Sequence, residues 1–194
     1  MRRQDFLARA LGFRRDRVGE AQFLHGHHPL WARLATFRKP LFITMTRDPV
    51  ERFLSNYYMI RRKAERSGKS SLKHRVLRED PDLFATRIIR SPAAKRLNGM
   101  CLYLTRSGQF EDARLALETR LFAAARLDEI GAFSCLLADA LGLPAPDMQH
   151  VNTGRNRPQS NPLSPKVEER LRAVLDPDRR LHDHIGEVGL RSGN

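Results

Sequence analysis

A short apolar run, Leu41-Phe42-Ile43-Thr44-Met45-Thr46, passes directly into Arg47-Asp48-Pro49-Val50-Glu51, and this junction constrains the fold more than any other stretch of the chain. The run has the length and composition of a buried strand. Asp48 suits a helix N-cap, and Pro49 suits the first helical position, where no N–H is needed. Glu51 stands three residues after the cap, where a capping-box partner belongs. Phe53, Leu54, Tyr57, Tyr58 and Ile60 then recur at roughly helical spacing. Arg47 is therefore predicted at the carboxyl end of a strand, just before a helix N-terminus. Open α/β sheets bind ligands there, and the helix dipole and free N–H groups favour an anion.

Other elements follow from periodicity and punctuation. Helices are expected over 2–17, 82–89, 91–99 and 110–116, with another inside 127–142 ended by Gly142 and Pro144. Ser164-Pro165 opens a last helix, PKVEERLRAVL, with Glu168 and Arg172 four residues apart. AQFLHGHH reads as a short strand running into a loop stopped by Pro29. VNTGRNRPQSNPLSP, rich in turn formers and arginine, reads as a loop. The pattern is an α/β chain with few strands, and with no internal repeat or linker: one domain across 1–194.

Three stretches are candidates for chemistry. Arg47, Arg52 and Ser55 form the first. A guanidinium at a strand end offers a bidentate grip on phosphate, and a serine in the following helix adds a hydroxyl. The alternative is that Arg47 pairs with a carboxylate and Ser55 is a tolerated helix residue. The second is His25-Gly26-His27-His28, where His25 and His27 at alternate strand positions reach one side together. They suit a general base with a supporting partner, or an exposed His-rich turn. No third ligand at a recognisable spacing favours a metal, and none is expected. The third, Gly68-Lys69-Ser70, ends like a phosphate-binding P-loop. Lys63 occupies the place of its first glycine and no apolar strand precedes it, so it reads as a solvated loop.

Composition limits the partners. With 41% hydrophobic residues the chain is not a disordered tail, and no run approaches the roughly 18 apolar residues of a membrane span. Lys and Arg number 35 against 22 acidic residues, a net +13 that raises the local concentration of anionic partners. Nucleic acid is not the expected one. Aromatic interleaving, helix-turn-helix and zinc-finger patterns are all missing. Cys101 and Cys135 stand in apolar surroundings and are expected as buried, inert thiols of a reducing compartment. The basic N-terminus lacks the apolar stretch of a signal peptide, which places the expected location in the cytoplasm.

In order along the chain, these stretches resemble the sulfotransferase family that includes heparan sulfate and chondroitin/dermatan 2-O-sulfotransferases. FLHGHHP resembles the family's histidine-containing strand end. LFITMTRDPVERFLSNYYMIRR resembles its 3′-phosphate-binding strand and helix, with Arg, Ser and paired Tyr at the expected offsets. LDEIGAFSCLLADALG and HVNTGRNRP…LSPKVEERL resemble, more weakly, its C-terminal helix and cofactor loop. The likeness runs from about Phe23 to the end, and residues 1–22 match poorly.

The resemblance implies a P-loop-like core with a small parallel sheet flanked by helices. It implies 3′-phosphoadenosine 5′-phosphosulfate as donor and a hydroxyl of a glycan or similar molecule as acceptor. Arg47 and Ser55 would hold the 3′-phosphate, His27 would act as base with His25 in support, and Arg155 or Arg157 would reach a phosphate from the loop over the nucleotide. Family members also carry a strand and a Pro-Lys-x-Gly-x-[Thr/Ser] loop that grips the 5′-phosphosulfate. Nothing like it precedes Phe23, so these 194 residues alone are expected to be weakly active or inactive. The competing expectations are a non-catalytic descendant that binds nucleotide or anionic glycan and, from charge alone, a nucleic-acid-binding protein.

Overall fold

A computed structural model describes residues 29–30, 42–67, 79–92, 94–144 and 161–188. The expected elements over 2–17 and 21–28, the Gly68-Lys69-Ser70 stretch and residues 151–160 of the expected 151–165 loop lie outside them, and with them His25, His27, Arg155 and Arg157.

The protein is α/β, with a two-stranded parallel sheet flanked by helices. Strand β1 (Ile43–Thr46) leads into helix α1 (Pro49–Ser67). Helix α2 (Pro81–Ile89) starts at Asp80, whose side chain accepts from the Leu83 amide. A 3₁₀ turn (Ala94–Leu97) and the short helix α3 (Gly99–Leu104) precede α4 (Phe110–Arg120). Strand β2 (Ala123–Arg126) then runs parallel to β1, with Ile43 opposite Ala123 and Thr46 opposite Arg126. A 3₁₀ turn (Leu127–Glu129) and helices α5 (Ile130–Ala140), α6 (Pro165–Val174) and α7 (Asp176–Val188) complete the described chain.

The sheet is covered on both faces, as a parallel pair requires. Ala123, Ala125, Ile43 and Met45 pack against Phe133 of α5. On the opposite face, Ala124 joins Cys101, Leu104, Ala113, Leu117, Leu181 and Ile185 from α3, α4 and α7. Further along, α1 buries Val50, Phe53, Leu54 and Tyr57 against α2 and α6 through Phe84, Ala85 and Leu171. Tyr57 is fully buried, and its hydroxyl still reaches a partner by donating to the Glu79 carbonyl at 2.8 Å.

Three sequence expectations are corrected. The helix expected over 91–99 is a 3₁₀ turn followed by a separate helix starting at Gly99, because the Asp178 carboxylate accepts from the Met100 and Cys101 amides and fixes a new N-terminus. Cys101 is buried as expected, whereas Cys135 is exposed. The helix begun at 110 continues to Arg120. Gly142, by contrast, closes α5 as read, with φ of 64° and Leu143 donating back to the Ala138 carbonyl at 2.8 Å.

Candidate functional site

The β1–α1 junction has the local structure its residues dictate. Asp48 Oδ1 accepts from the Glu51 amide at 2.8 Å, and its carbonyl accepts from the Arg52 amide at 2.8 Å, so Asp48 is the N-cap. Arg47 precedes it at the carboxyl end of a parallel strand. Its guanidinium donates to Glu51 Oε2 at 3.4 Å, one turn into α1, and its side chain is about one-third exposed, at 34%. Ser55 lies one further turn along the same face, half-buried. Glu51 therefore stands between the two residues that the sequence paired.

Arg52, named with them, does something else. It turns inward, donating to Asp178 Oδ2 at 2.7 Å and to the Leu97 carbonyl. Asp178 is fully buried on α7, and its other contacts are the amides of Met100 at 3.0 Å and Cys101 at 2.8 Å. Burial pushes its carboxyl up, while the Arg52 guanidinium and those two amides work against that rise. The group ties α1, α3 and α7 together. Arg52 is thus a structural residue.

The same end of the sheet holds residues the sequence reading missed. Thr46, the last residue of β1, is 2% exposed, and its hydroxyl lies 3.1 Å from His182 Nδ1 on α7 and 3.5 Å from the Ala125 carbonyl. Across the ladder, Arg126 Nε donates to the His182 carbonyl at 3.3 Å. Burial, then the positive charge of Arg126, lowers the imidazole below the ordinary histidine range, with Asp48, Asp183 and Asp128 acting the other way. Asp176-Pro177 with Leu181 and Ile185 four apart was the available signal for α7, diluted by the arginines and histidines around it.

A shallow, open cleft of about 410 Å³ lies along α2, lined by Glu79, Leu83, Thr86, Arg87, Arg90 and Ser91. It contains none of the strand-end residues, and its Arg87 already forks onto Glu79 at 2.8–3.1 Å. The strand ends are the candidate site instead, because Arg47 there makes, among the described residues, only a single, longer contact, 3.4 Å to Glu51 Oε2. Among the described residues no cluster of His, Cys, Asp and Glu could hold a metal ion, and no helix is long and apolar enough to cross a membrane. No protein-family model, curated protein or solved structure matches the chain.

Proposed function

We propose that this chain is a sulfotransferase-type domain that binds 3′-phosphoadenosine 5′-phosphosulfate at the carboxyl end of β1 and transfers its sulfuryl group to a hydroxyl of a glycan or similar acceptor. The observation that carries the reading is Arg47, standing between the last residue of a parallel strand and an Asp48-capped helix. The resemblance of this segment to the family's 3′-phosphate-binding strand and helix supports it. Arg47 would meet the 3′-phosphate, and Ser55, on the same helical face, would add a hydroxyl. The proposed roles of His27 and His25 as base and support, and of Arg155 and Arg157 on the nucleotide, rest on the resemblance. Transfer would be in line, with the protein supplying position and charge.

The Arg47–Glu51 pair competes with this role, and magnitudes decide the outcome. An exposed pair four residues apart on a helix stabilises by about 0.3–0.5 kcal/mol, whereas a charge-assisted hydrogen bond to phosphate is worth roughly 1.5–3 kcal/mol. A phosphate would therefore take the guanidinium from Glu51. Calorimetric titration with adenosine 3′,5′-bisphosphate tests the proposal. Arg47→Ala should weaken binding by about 1–3 kcal/mol. Absence of binding by the unaltered chain, or an unchanged affinity in the variant, refutes it.

A further inference from the structure

The carboxyl end of β2 carries a second cationic group, distinct from Arg47. The register sets Arg126 opposite Thr46, on the sheet face that α7 covers. Its guanidinium lies over Gly186, where a side chain as small as a methyl group would overlap it. Nε is held by the His182 carbonyl. Three of the neighbouring carboxylates are engaged elsewhere. Asp48 caps α1 through the Glu51 amide, Glu129 accepts from the backbone amide of Arg126, and Asp183 pairs with Arg179 at 3.0 Å. None of the ion pairs among the described residues includes Arg126.

His182 beside it is held by a partner that suits two protonation states. The Thr46 hydroxyl both donates and accepts. With the ring neutral, it serves either tautomer at Nδ1. With the ring charged, Nδ1–H donates to Thr46 Oγ1, whose own hydrogen turns to the Ala125 carbonyl. Nδ1 can therefore carry a proton in the charged ring without leaving the buried Thr46 hydroxyl unpaired.

We propose that Arg126 and His182 together bind a tetrahedral oxyanion, a phosphate or sulfate ester, and that the imidazole takes a proton from solvent when the anion arrives. The charges around the ring fit this coupling. Burial, and after it Arg126 from β2, opposes its protonation, and Asp48 from the β1–α1 junction, Asp183 on α7 and Asp128 after β2 favour it. An anion seated on Arg126 offsets the second of the opposing causes and adds a favouring charge against the first. The proposal rests on the function above only for the source of the ester.

The test uses the full chain and inorganic sulfate, which stays fully ionised near neutrality, so that any pH dependence belongs to the protein. Affinity should fall by up to about tenfold per pH unit above the His182 transition. The ring resonances of His182, identified by their loss in His182→Gln, should titrate at higher pH with sulfate than in sodium chloride of equal ionic strength. Gly186→Ala is the second variant, because alanine favours a helix interior and the fold should persist while Arg126 is displaced. It should bind sulfate about tenfold more weakly, the loss of one charge-assisted contact. Equal titration of His182 in sulfate and chloride, or unchanged affinity in Gly186→Ala, overturns the proposal. Displacement of sulfate by adenosine 3′,5′-bisphosphate identifies the nucleotide as the source. Sulfate binding without nucleotide binding keeps this site and removes the proposed function. Nucleotide binding through Arg47 that leaves His182 unmoved does the reverse.

Discussion

Replacing Asp178 by alanine should destabilise the protein by about 3 kcal/mol, a large share of the roughly 5–15 kcal/mol that holds an ordinary domain together. The figure follows from what the carboxylate touches. Oδ2 accepts from Arg52 and the Met100 amide, and Oδ1 accepts from the Cys101 amide. Its removal orphans two amides at the start of α3, at residues 8% and 0% exposed, each costing about 1–3 kcal/mol when unpaired. Breaking a buried ion pair typically costs about 3–5 kcal/mol. The lower end applies because Arg52 is 33% exposed and keeps the Leu97 carbonyl, so water can resolvate part of its charge. Asparagine should not rescue the site. One of its two positions presents an NH₂ to the Cys101 amide and the other presents it to Arg52 and the Met100 amide, so donor faces donor either way. A cost of about 2 kcal/mol is expected. Urea unfolding followed by circular dichroism, read as a shift in midpoint at constant slope, measures both. A cost under about 1 kcal/mol for the alanine variant would refute the reasoning. Strict additivity of Asp178→Ala with Arg52→Met would do the same, since residues in one network should couple.

Asp48→Ala removes the N-cap of α1 and should lower stability by about 1 kcal/mol in the same assay. A thiol reagent should label Cys135 alone in the native protein. Cys101 is buried, donates to the Pro177 carbonyl at 3.3 Å, and has its ionisation pushed up by burial and then by Asp178, so it should react only on unfolding. His182 should make stability fall on acidification. The ring holds its proton less tightly folded than unfolded, so below about pH 6.5, the ordinary histidine value, the unfolded chain gains a proton that the native ring refuses. The loss ends where the native ring itself protonates. A denaturant midpoint measured against pH for wild type and His182→Gln should show this component only in the former.

The sequence by itself determined the β1–α1 junction, because everything that builds it is local. A strand run, an N-cap, a proline at the first helical position and helical spacing lie within one short window, and cap geometry needs no distant partner. The close of α5 at Gly142 was legible for the same reason. Strand β2 was not, since Ala123-Ala124-Ala125 carries no strand preference of its own. It is a strand because β1 supplies the ladder and small side chains let helices pack closely on both faces. Arg52 stood beside Arg47 and Ser55 in the sequence as an equal candidate, and only Asp178, contributed by a helix far along the chain, decided that it faces inward. The pairing of Thr46 with His182 and the seat of Arg126 over Gly186 likewise join residues brought together by packing alone. Local hydrogen-bond chemistry can be read along the chain. The partner of a buried charge, and the direction a guanidinium turns, depend on which elements the core brings together.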